Sequence, residues 1–264
     1  MNSAHFQLKE MKALFIKIKS NSPILYYCGL AHLLLLVLMI GIAQFDHRQV
    51  LGISLWVKPI KFAISIALYC LTWPLLLQYF PFQKLKRRFA NFTVFAMVFE
   101  MVAIGGQAAR GELSHYNVST TGNALIFSLM GVAIVSQTVF SLWIGIKFFK
   151  VKAVDLTPVL LWSIRLGIII AGILAMEGGI MASRLSHTVG AADGGPGLSF
   201  FNWSRLAGDL RIAHFFGLHA LQIIPLFVVF TGLKKAGPVI VFAICYLLLI
   251  TFLFVNAMMG RPLF

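Results

Sequence analysis

The chain has 264 residues, of which 59% are hydrophobic and only 11% charged, and its mean hydropathy is +0.89. A soluble domain carries roughly 25% charged residues, so this composition excludes an ordinary water-soluble fold. A net charge of +14 would raise nucleic acid as a partner of a soluble protein. In a membrane protein, basic residues instead flank the helices and meet anionic lipid. We therefore expect the lipid bilayer as a partner, and no nucleic acid.

Residues 1–20 precede the first long apolar segment and predict a short amphipathic helix. Its apolar side chains fall on one stripe at helical spacing: Leu8, Met11, Leu14, Phe15 and Ile18. Lysines fill most of the remaining surface, which is typical of a helix that lies on the lipid headgroups.

Seven apolar segments are each long enough to cross a bilayer core of about 30 Å at 1.5 Å per helical residue. The predicted helices span about residues 24–44, 57–80, 90–110, 124–148, 157–184, 210–231 and 237–258. Pro74 and Pro225 lie within the second and sixth of these and should kink them. The sequence thus predicts an all-α integral membrane protein in which residues 21–264 form one domain.

Basic residues predict the orientation of this bundle. Lysines and arginines cluster in every second connection: Lys9, Lys12, Lys17, Lys19, Lys84, Lys86, Arg87, Arg88, Lys147, Lys150, Lys152, Lys234 and Lys235. Short loops rich in Lys and Arg stay in the cytoplasm. We therefore expect a cytoplasmic N-terminus, an external C-terminus, anionic lipids at the cytoplasmic face and a bacterial inner-membrane location.

The other three connections, at about 45–56, 111–123 and 185–209, should face outward. They hold His115, His187 and the turn-forming run Asp193-Gly194-Gly195. Long ordered loops usually bind or cover something. The alternative is that these loops only connect helices.

Ionisable groups at membrane depth are costly and usually face a cavity or a partner. Glu100 and Glu177 are such groups, and we predict that they carry protons in a catalytic or transport step. Arg165 has two alternatives: an ion pair with Glu100, or a side chain that reaches back to the lipid headgroups.

Histidines and basic residues complete the predicted pocket. The candidate metal ligands are His115, His187, His214 and His219. His214 and His219 are five positions apart, about 140° around a helix with 3.6 residues per turn, so they cannot bind one metal from a single face. The candidate cofactor- or anion-binding residues are Lys58, Arg110, Arg184 and Arg211.

Three functions fit these residues. The first is a haem- or metal-binding membrane oxidoreductase. It would hold a haem or a divalent metal on the histidines, with arginines on haem propionates and with the pairs Gly105-Gly106 and Gly178-Gly179 leaving room for a ring. The second is a transporter or receptor for a small anion or a lipid headgroup, bound by the basic residues. The third is a structural or assembly protein whose polar residues only position helices.

Overall fold

A computed structural model describes residues 3–152, 156–195 and 197–264. The helices are α1 Ser3–Asn21, α2 Pro23–Ala43, α3 Val57–Leu77, α4 Gln83–Arg110, α5 Thr121–Phe148, α6 Pro158–Ala175, α7 Glu177–Arg184, α8 Leu210–Thr231 and α9 Ala236–Met258. Two short antiparallel pairs join them, β1 Gln49–Val50 with β2 Ile53–Ser54, and β3 Thr188–Val189 with β4 Gly208–Asp209. The side chains of residues 3–9, including Leu8 of the predicted stripe, lie outside the described part.

Within these ranges, seven spans are long and apolar enough to cross a membrane, with α6 and α7 together forming one of them. Their outer surfaces expose large apolar side chains, among them Val37 at 64% and Phe252 at 61%. Such a surface is unfavourable in water and normal in lipid. The chain is therefore a polytopic all-α membrane protein in contact with the bilayer, as predicted. The orientation of its termini and the surface position of α1 stay predictions.

Glycines bring the spans close together. A Cβ at Gly29 of α2 would lie 2.8 Å from Leu71 Cγ of α3, and one at Gly167 of α6 would lie 3.1 Å from the carbonyl oxygen of Ala220 in α8. Lipid provides no hydrophobic drive for helices to associate, so close packing at small residues stabilises the bundle instead. The pairs α2–α3 and α6–α8 are accordingly the most closely packed.

One predicted boundary differs clearly from the structure. The third span begins at Gln83, so Lys84 and its neighbours form its first turns rather than a loop. The predicted helix over 157–184 is one span, Pro158–Arg184, interrupted only by a turn at Met176, whose backbone angles stay helical (φ −64°, ψ −17°). There the amides of Met176 and Gly179 each bond a carbonyl three residues earlier, at 3.1 and 2.9 Å.

We name the two ends of the bundle by their residues. The site end comprises the loops 44–56, 111–120 and 185–209 with the C-terminal residues 259–264. The basic end comprises the loops 78–82, 149–157 and 232–235, as far as these are described. The names carry no statement about which end faces the cytoplasm.

Arg165 lies near the basic end and does not pair with Glu100. Its Nε and one terminal nitrogen donate hydrogen bonds to the carbonyl oxygens of Phe148 (3.1 Å) and Val151 (2.9 Å). These oxygens lie at and just beyond the end of α5, where carbonyls have no partner within the helix. The predicted ion pair is therefore wrong. The side chain instead reaches towards the basic end, which is the direction that the alternative prediction describes.

Candidate functional site

The loop 185–209 covers the site end because one carboxylate organises it. Asp193 accepts hydrogen bonds from Ser186 Oγ (2.8 Å) and from the backbone amides of Thr188 (2.9 Å) and His187 (3.2 Å). Burial opposes ionisation here, but His187 and the bonds from Thr188 and Ser186 outweigh it and lower the pKa of Asp193. The long loop is thus an ordered cover, as its predicted turn residues indicated.

Asp209 ties the far end of this loop to α8. It caps the helix by accepting from the backbone amide of Arg211 (3.0 Å), and it also accepts from the amide of Ser204 (2.8 Å). The Arg211 guanidinium forms a two-pronged ion pair with the same carboxylate, at 2.9 and 2.6 Å. Asp209 is only 1% exposed. Arg211 therefore lies at the site as predicted, but its charge is already matched.

His187 lies between these two carboxylates. Its Nδ1 is 3.1 Å from Thr188 Oγ1, 3.3 Å from an Asp193 oxygen and 4.0 Å from an Asp209 oxygen. Burial lowers the pKa of His187 to about 4; Arg211 acts in the same direction, while Asp193 and Asp209 oppose it. The imidazole is therefore neutral at neutral pH.

His115 belongs to the loop between α4 and α5. Its Nδ1 lies 3.1 Å from Ser114 Oγ, and its ring packs on those of Phe62 (5.6 Å between centroids) and Phe127 (6.2 Å). Burial lowers the pKa of His115 well below its usual range, and the charges of Lys58 and of protonated His214 add to the effect. His115, Lys58 and His214 therefore converge from three elements.

Tyr116 links the two loop histidines. It follows His115 with a left-handed backbone (φ 60°), and its ring lies 6.0 Å from His115 and 6.4 Å from His187 between centroids. Burial raises the pKa of Tyr116 to about 12. The sequence prediction did not include this residue, because nothing in the local pattern indicates the turn that aims it inward.

Lys58 and Lys61 lie one turn apart at the start of α3. Lys61 Nζ donates to the carbonyl oxygen of Phe201 in the covering loop, at 3.0 Å. Lys58 is half-buried, and no ion pair or hydrogen bond to its ammonium occurs in the described part of the chain. Its charge acts on both His115 and His187. Lys58 is thus the unmatched cation of the site.

Deeper in the bundle, the buried polar atoms without a hydrogen-bond partner among the described residues include Glu100 Oε1, Glu177 Oε2 and His214 Nδ1. Glu100 is 4% and Glu177 7% exposed. Glu177 directly follows the turn at Met176. A Cβ at the next residue, Gly178, would lie 3.4 Å from His214 Cε1, so this glycine leaves room for the histidine ring.

The remaining predicted residues do not join this group. Arg110 is exposed and donates to Gln107 Oε1 at 3.0 Å. Arg184 is exposed at the end of α7. His219 lies 3.3 Å from Gln222 Oε1 and packs against Phe215. Within residues 3–152, 156–195 and 197–264, no three His, Cys, Asp or Glu side chains are arranged to hold a metal ion.

Fold and site together define a polytopic membrane protein with a covered polar site at one end of a seven-span bundle. No known protein family, curated protein or solved structure matches this chain. Its function has to be argued from the site alone.

Proposed function

We propose that this protein binds a small anion, a carboxylate or a phosphate, at the site end and acts as its receptor or transporter. The observation that carries the proposal is Lys58, a half-buried ammonium without a matched charge. Leaving a charge partly desolvated and unpaired is unfavourable. An anion that accepts charge-assisted hydrogen bonds from it would remove this cost. In a bacterial inner membrane, with the basic end cytoplasmic, the site would face outward.

The neighbouring charges favour an anion at Lys58. Asp209 is neutralised by Arg211. Asp193 and Glu100 are within electrostatic range of Lys58, but neither forms an ion pair with it. Lys61 donates to a neutral carbonyl oxygen. The mouth therefore holds two ammonium groups, Lys58 and Lys61, against the single carboxylate of Asp193.

Two buried acids favour a transporter over a simple receptor. Glu100 lies within the third span, and Glu177 lies within the fifth, directly after the turn at Met176. Intramembrane acids are frequent where transporters bind substrate or protons. In this proposal Glu100 and Glu177 carry protons below the anion, which is the role that the sequence predicted for them.

Binding to the purified, detergent-solubilised protein tests the proposal. We expect inorganic phosphate or succinate to raise its unfolding temperature, since a ligand of the folded state stabilises it. Lys58→Gln should weaken binding about 10- to 100-fold, the value of a hydrogen bond to a charged group. Lys147→Gln, at the basic end, is the matched control and should bind normally. The proposal fails if neither probe stabilises the protein, or if Lys58→Gln binds as the parent does.

Glu177→Gln separates transport from binding and from a purely structural role. In proteoliposomes, a transporter variant should keep binding and lose uptake of the anion. If Glu177→Gln instead lowers only the unfolding temperature, and the unaltered protein shows no ligand, the site serves to hold helices together.

A haem or a divalent metal is the second candidate, and the unpartnered His214 Nδ1 close to His115 favours it. Two histidines could serve as axial haem ligands. A divalent ion fits less well, because the described residues lack a group of three ligands. A Soret band in the visible spectrum would support haem, and metal analysis would detect an ion. A colourless, metal-free, folded preparation would exclude both.

A further inference from the structure

A second polar cluster lies away from the site, between α2 and α3 in the half of the bundle nearer the basic end. It consists of Cys28, His32 and Cys70, which are 7%, 2% and 0% exposed. Cys28 is five residues from the start of α2, and Cys70 is seven from the end of α3. At 1.5 Å per residue, both lie roughly 10 Å inside the basic end. Nothing in the anion-binding proposal uses these residues.

The three side chains contact one another. The Sγ atoms of Cys28 and Cys70 are 3.7 Å apart, with the Cys70 thiol directed at Cys28. His32 Nδ1 lies 3.7 Å from Cys28 Sγ and 2.8 Å from the carbonyl oxygen of Cys28. Because that oxygen only accepts, Nδ1 carries the hydrogen and donates it to the carbonyl oxygen. Cys28 Sγ therefore lies beside two groups that carry a hydrogen, the imidazole N–H and the Cys70 thiol.

The backbone beside the cluster allows the sulfurs to meet. At Gly29, next to Cys28, a Cβ would lie 2.8 Å from Leu71 Cγ and 3.4 Å from the carbonyl oxygen of Ala67. These residues flank Cys70 on α3. A disulfide needs its two Cα atoms within about 4.4–6.8 Å of each other, and small residues such as Gly29 let two helices approach closely.

The imidazole has an unused basic atom. His32 Nε2 is buried without a hydrogen-bond partner among the described residues. Since Nδ1 carries the hydrogen, Nε2 can take up a proton. Buried cysteines are usually inert because nothing activates them. Here the Nδ1 atom of an imidazole and a second thiol both lie 3.7 Å from one sulfur.

We infer that Cys28 and Cys70 are a peroxide-reactive thiol pair that closes to a disulfide, with His32 activating Cys28. The oxidant is a small neutral hydroperoxide, because burial excludes bulky or charged ones. Cys28 Sγ attacks one peroxide oxygen, the O–O bond breaks, and the second oxygen leaves as water with the thiol proton. Cys70 Sγ then attacks the resulting sulfenic acid, and its hydroxyl leaves as water with the Cys70 proton. Two thiols lose two electrons, and hydrogen peroxide is reduced to two waters.

Thiol counting on the full-length protein in detergent tests this inference. After hydrogen peroxide treatment and denaturation, a maleimide should label only Cys245, the exposed third cysteine. The intact mass should fall by two hydrogens, and dithiothreitol should restore all three labels. If all three thiols still react after peroxide, or if peptide masses show oxygen added to Cys28 or Cys70 instead of a disulfide, the inference is wrong. This result needs no variant, so a variant that misfolds cannot obscure it.

Variants assign the roles of the two sulfurs. In Cys70→Ala, Cys28 should stop at the sulfenic acid, which dimedone traps when it is added with the denaturant after the peroxide. In the matched variant Cys28→Ala, dimedone should find no adduct on Cys70. His32→Gln should slow the loss of the Cys28 thiol about tenfold, the value of one hydrogen bond to a charged sulfur. Equal dimedone labelling of both single variants would overturn the assignment, and an unchanged rate in His32→Gln would remove the histidine from it.

Discussion

At the basic end, charged side chains bond backbone carbonyl oxygens or lie over an aromatic ring. At the site end, charged side chains form ion pairs with one another, but Lys58 has no such partner. Arg165 bonds carbonyl oxygens beyond α5, and Lys147 Nζ lies over the Trp143 ring at 5.8 Å. At the site end, Asp209 and Arg211 pair in the interior, while Lys58 stays unmatched. Charges at a membrane interface need no partner other than water and lipid headgroups. A partly buried unmatched charge is costly, and it points to a ligand.

The largest effect should come from breaking the interior pair. Asp209→Ala removes the cap of α8 and leaves the Arg211 guanidinium uncompensated, which should cost about 3 kcal/mol of unfolding free energy. Thermal unfolding in detergent measures this as a drop in the midpoint. Asp46→Ala is the matched control, because Asp46 pairs with the exposed Arg48 and its loss should matter less. Equal drops would show that burial of the pair is irrelevant.

Acid should lower the free energy of unfolding by a smaller amount, and this loss should come from His187 at the site end. Unfolded His187 has a pKa of about 6.5, whereas burial lowers it to about 4 in the folded protein. Between these values the unfolded state binds more protons, so stability is complete above pH 6.5 and declines as the pH falls towards 4. From pH 7 to pH 5 the loss should be about 1.5 kcal/mol.

His187→Asn should make this part of the pH dependence disappear, measured as the difference in unfolding midpoint between pH 7 and pH 5. Asp193 does not interfere, because its lowered pKa places its contribution below pH 3.8. An identical pH response in both proteins would mean that His187 is not protected from protonation.

The smallest effect belongs to the basic end. Arg165→Gln removes two hydrogen bonds to backbone oxygens that water and lipid headgroups can partly replace, so it should cost about 1 kcal/mol. Lys150→Gln, at an exposed position beside α5, should leave the unfolding midpoint unchanged. If Arg165→Gln lowered the unfolding midpoint as much as Asp209→Ala, the charged side chains at the two ends would not differ in their contribution to stability.

The sequence predicted the spans well because each depends only on local composition and length. All seven were found, and the main error was at Gln83, where the third span begins earlier than predicted. Gly178 and its contact with His214 are decided by a different helix.

The site was predicted in part. Loop residues such as His187 and Arg211 were recognised by their unusual chemistry in a membrane chain, but their partners Asp193 and Asp209 were not assigned roles. Arg110 and Arg184 were grouped with them because helix ends at one face look equivalent in sequence. In the structure, Arg110 and Arg184 are exposed and do not contact His187 or Arg211. The direction of a side chain at a helix end depends on how the neighbouring helices pack.

The thiol cluster was not predicted at all. No cysteine was assigned a role, although Cys28 and His32 are four positions apart and so share one face of α2. What that spacing cannot show is the third member, because Cys70 arrives from another helix through the close approach at Gly29.

Taken alone, the sequence determined that this protein lies in lipid, how many spans it has and that charge is distributed unequally between its two ends. These properties follow from transfer free energies of single residues, which add along the chain. Only the tertiary structure decided which charges are matched and which thiols meet. Those properties depend on distances between residues far apart in the chain, and packing sets those distances.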